Sequence, residues 1–345
     1  MWYGLLKIIF KFALHGYHRH IGVYGLENVP TDKPVLFLPN HQSALLDVLL
    51  VVVDCNRKPY FLTRADVFGK PLLNAFFKFL RMIPIYRIRD GRDKLAKNDA
   101  IFDICAEVLG RGEAIAMFPE ANHNLRRRVR PLSKGFTRVL FRTLERYPDL
   151  DLQIVPVGLN YKHAETFPDE VAIYYGKPIS VAKYYDAHDV PGSVGATKEA
   201  VAAALRRLTT HVGPEGHYGE IVRYLERKGV DFLDPKAANA LVEQWTTAAV
   251  APVREKAPKP LRMLLLFLIL LNLPVILLWK LLVKPKVWEP EFTGTLRFAT
   301  AFVGFLVYGL LLFVLLSLFF GGWWAGASIL LLLAFNWCYV KYGSF

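Results

Sequence analysis

One stretch of this chain sets a histidine and a carboxylate where they could act on a hydroxyl. In Leu36-Phe37-Leu38-Pro39-Asn40-His41-Gln42-Ser43-Ala44-Leu45-Leu46-Asp47 an apolar run stops at Pro39-Asn40 and leaves His41 at its tip, with Asp47 six residues later on an apolar helix. A carboxylate that accepts from one imidazole nitrogen fixes the tautomer and stabilises the imidazolium, so the other nitrogen serves as a general base. Acylation of an alcohol needs that arrangement. A loop histidine and a helix-capping aspartate read from the same spacing. Placement at a strand end favours the chemical reading, because sites in open α/β sheets gather outside the carboxyl ends of strands.

Other chemistries lack their residues. Ser43 stands beside His41, but no Gly-x-Ser-x-Gly elbow presents a nucleophile, and the sequence has neither a phosphate-binding Gly-x-x-x-x-Gly-Lys loop nor a His-Glu-x-x-His helix. His15, His18 and His20 share a helix face without the convergent ligand and second shell that a metal site needs, so no metal and no bound cofactor are expected. Cys55, Cys105 and Cys338 are too scattered for a disulfide framework and read as reduced, cytosol-facing thiols.

The elements that must position His41 and Asp47 follow from the hydrophobic pattern. Between Pro34 and about Ser180, runs such as PVLFLPN, PYFLT, AIAMFPE, LQIVPVGLNY and EVAIYYG alternate with helix-like ALLDVLLVVV and AIFDICAEVLGRG. Short apolar runs stopped by Pro, Gly or Asn are buried strands, and the spacers are long enough for crossover helices. The fold class is therefore α/β, a mostly parallel sheet flanked by helices over residues 25–185. Residues 1–24 form an amphipathic helix with Leu5, Ile8, Ile9, Phe12 and Ala13 on one face and Lys7 and Lys11 on another, suited to a membrane interface. Residues 186–260 turn helical and polar and form an appendage.

The C-terminal region, residues 261–345, carries the excess hydrophobicity of a 345-residue chain that is 53% hydrophobic and only 21% charged. The mean hydropathy of the whole chain, +0.26, excludes a disordered protein and points to lipid. Met263–Val283, Phe298–Phe320 and Trp323–Val340 are long enough for membrane helices. Basic residues flank them at Arg254–Arg262, Lys280–Lys286, Arg297 and Lys341. Two hairpins, turning at Asn272–Pro274 and Gly321–Trp324, would leave every basic flank on the cytoplasmic side with the α/β domain. The net charge of +13 fits anionic lipid headgroups or phosphorylated metabolites, and no nucleic-acid signature accompanies it.

NHQSALLD, MIPIYR, FPEANHN and IVPV occur in the order and rough spacing of the four blocks of the glycerolipid acyltransferase family, and the chain resembles that family over roughly residues 25–180. The resemblance implies an O-acyltransferase that moves a fatty acyl group from acyl-CoA or acyl-carrier protein to 1-acylglycerol 3-phosphate or glycerol 3-phosphate. His41 would be the base and Asp47 its orienter, although the family spacing has four intervening residues and this chain has five. Arg87 would bind the substrate phosphate in a guanidinium fork. Phe118, Pro119 and Glu120 keep the third block, and Glu120 would accept from the glycerol hydroxyl or else be held in a structural salt bridge. The family's Gly and Arg are replaced there by Ala121 and His123. Arg126 and Arg127 open a run of seven basic and no acidic residues up to Arg142, which would restore the lost charge or face anionic headgroups. Pro156 would shape the acyl-donor side. The partners implied are membrane lipids, an acyl thioester and a glycerol phosphate. Another lipid acceptor, such as a lysophospholipid or an ornithine lipid, and a non-catalytic binder of anionic lipid are the alternatives.

Overall fold

A computed structural model describes residues 2–68, 71–86, 91, 93, 96–246 and 262–343. In strand β2 (Val35–Pro39) Val35 and Phe37 join one core cluster, and Leu36 and Leu38 join another. All four are fully buried, so β2 needs cover on both faces. Helices α1 (Trp2–Tyr17) and α2 (Ala44–Asp54) cover one face through Leu14, Leu46 and Leu50. The helices Asn98–Gly110, Gly135–Arg146 and Val190–Leu208 cover the other through Phe102, Phe136 and Leu205.

The sheet order is β1 (His20–Tyr24), β7 (Glu170–Tyr175), β6 (Gln153–Tyr161), β2, β5 (Ala114–Ala116), β3 (Tyr60–Arg64) and β4 (Met82–Ile85), with β8 (Ile179–Ser180) also on β6. The pairings from β6 through β2, β5 and β3 to β4 are parallel, as is β1 with β7. Among the described residues only β7 and β8 run antiparallel to β6, since the short connections there leave no room for a crossover helix. The sheet is thus mostly parallel, as its apolar runs imply.

Two features depart from the sequence reading. Helix Val190–Leu208 places Val201 and Leu205 in the sheet core, so the α/β unit extends beyond residue 185. Behind it, Val212, Ile221, Leu225 and Phe232 form a separate small core for the appendage. The other departure is in α1, where the lysines turn inward: Lys7 donates to the Cys55 carbonyl and Lys11 pairs with Asp54 at 2.7 Å. Its exposed apolar face continues into the C-terminal helices, where Phe12 stacks on Trp337 and Phe10 on Phe302.

Helices Phe292–Phe320 and Gly322–Tyr342 are long and apolar enough to cross a membrane, and they meet at Gly321, whose φ is +83°. The earlier apolar stretch breaks at Asn272 and bends by 85°, a right angle in place of the expected reversal. There the Asn272 and Asn336 side chains exchange two hydrogen bonds at 2.8 and 3.0 Å, which satisfies two amides among apolar neighbours.

Asn40 fixes the end of β2. Its side chain donates to the Leu159 carbonyl at 3.0 Å and accepts from the Leu159 amide at 2.6 Å, so β2 stays tied to β6 where the chain leaves the sheet. Asn40→Ala leaves both Leu159 groups unpaired in the interior. It should cost about 2–4 kcal/mol in denaturant unfolding of the full chain in micelles. Wild-type stability would show that the contact holds nothing.

Candidate active site

The strand end and the first turn of α2 bring His41 and Asp47 together, with Nδ1 2.7 Å from Oδ2. Asp47 is completely buried. An isolated carboxylate there would be very costly, so its donors explain its presence. Oδ2 also accepts from the amides of Gln42 at 2.7 Å and Ser43 at 2.8 Å, and Oδ1 accepts from the Tyr161 hydroxyl at 2.5 Å. Asp47 lies in the first turn of its helix, where the macrodipole favours negative charge. Burial, reinforced by the Asp47 charge, pushes the Tyr161 phenol well above its ordinary range, so it stays a donor.

Five residues separate His41 from Asp47. Ala44 takes a positive φ of +38°, which turns the chain sharply enough for Asp47 to face back to His41.

Phe118 stacks on the imidazole of His41, with centroids 3.9 Å apart and planes at 20°. With Nδ1 on Asp47 and one face on Phe118, Nε2 is the nitrogen left to exchange a proton. His123 sits edge-on to His41 at 5.5 Å and is itself held by Glu289 at 2.8 Å and by the ring of Phe292. His123, Glu289 and Glu291 bring ligand atoms within 4.8 Å of one another, a spacing open to a metal ion, though the His123–Glu289 bond already uses two of these groups.

The remaining predicted residues divide. Pro119 is buried, and its carbonyl accepts from Ser133 at 2.8 Å. Of the two readings of Glu120, the structure shows the salt bridge: its carboxylate accepts from the Arg130 guanidinium at 2.7 Å and from the Arg130 amide at 3.0 Å. Ala121, where the family has Gly, holds φ +65°, a conformation glycine adopts more readily. Arg127 is also committed elsewhere. It donates to the carbonyls of Tyr161 at 2.6 Å and Lys162 at 2.7 Å and lies 3.9 Å from the centre of the Phe232 ring, and burial lowers its pKa.

Arg128 pairs with Glu215 at 2.9 Å, and Arg126 reaches the same carboxylate at 3.8 Å with its guanidinium more than half exposed. The basic run therefore docks the appendage, which the sequence left without a role. Pro156 does not line the site. It is buried within β6, and its carbonyl accepts from Gly176 where the partner strand changes from β7 to β8. A missing N–H is tolerated at such a gap. Arg87 lies outside the described residues.

Tyr161 and Asn40 escaped the sequence reading. Each is joined to its partner across more than 100 residues, Tyr161 to Asp47 and Asn40 to Leu159. The signal available was a tyrosine at the end of an apolar strand, whose hydroxyl needs a partner once buried.

Residues 20–160 match the Acyltransferase family. The chain is 28% identical over 108 residues to glycerol-3-phosphate O-acyltransferase 1 of Saccharomyces cerevisiae, covering 30% of this chain and 14% of that one. It is 24% identical over 156 residues to the chloroplastic 1-acyl-sn-glycerol-3-phosphate acyltransferase LPAT1 of Arabidopsis thaliana, covering 45% and 40%. The chain thus spans well under half the length of these two relatives. The crystal structure of the 1-acyl-sn-glycerophosphate acyltransferase PlsC from Thermotoga maritima aligns with a TM-score of 0.39 at 18% identity, over 54% of this chain and 72% of that one.

The Glu120–Arg130 geometry predicts strong coupling. Arg130→Ala strands the buried Glu120 carboxylate and should destabilise by roughly 3 kcal/mol, and Glu120→Gln should cost less, because Arg130 keeps its bonds to Asn122. The double variant should lose clearly less than the sum, and additive losses in unfolding would contradict the pairing.

Proposed function

Taking residues 20–160 as a domain of the glycerolipid acyltransferase family, we propose that this chain is a membrane-associated O-acyltransferase that esterifies a glycerol phosphate from an acyl thioester. The observation that carries the proposal is the 2.7 Å contact between His41 and a buried, fully hydrogen-bonded Asp47. In this reading Nε2 of His41 takes the proton of the acceptor hydroxyl as its oxygen attacks the thioester carbonyl. The tetrahedral adduct collapses, the carbon–sulfur bond breaks, and the imidazolium returns the proton to the departing thiolate. Asp47 stays ionised throughout and stabilises the imidazolium. The acyl group passes directly to the acceptor, with no covalent enzyme intermediate.

The acceptor we favour is 1-acylglycerol 3-phosphate over glycerol 3-phosphate, with acyl-CoA or acyl-carrier protein as donor. The outward apolar face of α1 and the two C-terminal helices support a site beside lipid, where a one-chain acceptor concentrates. Arg127 and Arg130 are engaged by the protein itself, so we assign the counter-charge for the phosphate to Arg126, whose side chain is more than half exposed, and to Arg87, as the resemblance implies. The basic flanks of the apolar helices support a cytoplasmic catalytic domain.

General-base assistance is worth roughly two to four orders of magnitude, so His41→Ala should stay folded and lose that much activity. In wild type, lysophosphatidate should react faster than uncharged monoacylglycerol, and Arg126→Ala should narrow the difference. A wild-type rate in His41→Ala would end the mechanism, and equal rates for the two acceptors would end the phosphate assignment.

A further inference from the structure

Thr295 lies in the first turn of the apolar helix Phe292–Phe320, 249 positions from Leu46, yet it is buried against the loop that carries the candidate base. Its hydroxyl oxygen accepts from the Leu46 amide at 3.1 Å and donates to the Ser43 carbonyl at 3.0 Å. These two partners bracket Ala44, the residue at φ +38°. A strained residue persists only where its surroundings fix it from several sides.

The approach is close by construction. A Cβ on Gly294 would stand 3.0 Å from the Ala164 carbonyl oxygen, 3.0 Å from Ser43 Oγ and 3.1 Å from Leu46 Cδ1, so any side chain there would push its neighbours back by a few tenths of an ångström. Arg297 fastens the next turn by donating to the Glu165 carbonyl at 2.8 Å. The loop thus held includes the Gln42 and Ser43 amides that aim at Asp47 Oδ2.

We propose that Thr295 is a positioning residue for acyl transfer. Its hydroxyl pins the Ser43–Leu46 turn so that His41 and both loop amides converge on Asp47. The C-terminal apolar region then completes the active site as well as meeting lipid, and it does so from outside the family match at residues 20–160. The proposal rests on the acyltransferase reading, and its test is chosen to separate the two.

The full chain in lipid nanodiscs is compared as wild type, Thr295→Val, Thr295→Ser and Thr295→Val with Ala44→Gly. Acyl transfer and amide hydrogen exchange over residues 42–47 are both measured. Thr295→Val removes both hydrogen bonds of the hydroxyl while the Leu46 amide keeps its direct 3.0 Å bond to the Ser43 carbonyl, and it should lower kcat roughly tenfold while KM stays within about twofold. Exchange in the loop should quicken. Thr295→Ser keeps the hydroxyl and should match wild type in both readouts, and Ala44→Gly, which relieves the turn, should fold and recover most of the rate in the valine background.

Unchanged loop exchange in Thr295→Val overturns the proposal whatever the activity. So does faster exchange with an unchanged kcat, a serine variant as impaired as the valine one, or a double variant as slow as Thr295→Val alone. A wild type that transfers no acyl group to any acceptor refutes the acyltransferase reading, and with it a positioning role in that reaction.

Discussion

Everything around the candidate site serves one buried charge. Asp47 has no contact with solvent, and a carboxylate in that position is tolerable only because four donors reach it: an imidazole, two consecutive backbone amides and a phenol. The four donors depend on three constraints. The imidazole needs β2 to end at Asn40, the amides need the turn at Ala44, and the phenol needs β6 to run on to Tyr161. If any of these moved, the carboxylate would be left partly unsatisfied in a low-dielectric interior, where such errors are costly.

The same logic explains why distant segments press on the loop. Asn40 is latched to β6, Thr295 brackets the strained alanine, and Phe118 limits the imidazole to one plane. Loop residues are seldom rigid by themselves, and here rigidity is borrowed from a sheet, an apolar helix and an aromatic ring. The basic run after the third block has a comparable structural part. Arg127 and Arg128 knit the appendage to the α/β unit, and Arg130 holds Glu120.

Most of the fold was legible in the sequence because it is written in local periodicity. The apolar runs at Val35, Ala114 and Gln153 became central strands, and the run from Ala44 became the helix carrying Asp47. The His41–Asp47 pair was legible for the same reason, since both lie on one strand-to-helix connection. The other partners of that pair were not. Tyr161 reaches Asp47 across 114 positions, and Thr295 reaches the adjoining loop at Leu46 across 249, distances over which no local pattern carries information. Charge misled for a related reason. Lysines on an amphipathic helix and arginines in a basic run look solvated until the fold supplies Asp54, Glu215 or a row of carbonyls for them.

The central claim is that His41 donates from Nδ1 to an ionised Asp47. Proton NMR of the full chain in micelles, at a pH where the imidazole bridges to the carboxylate, tests it most directly. The account predicts a strongly deshielded imidazole N–H resonance that disappears in His41→Gln and shifts upfield in Asp47→Asn. A wild-type spectrum without that resonance, or one in which it survives His41→Gln unchanged, would contradict the account.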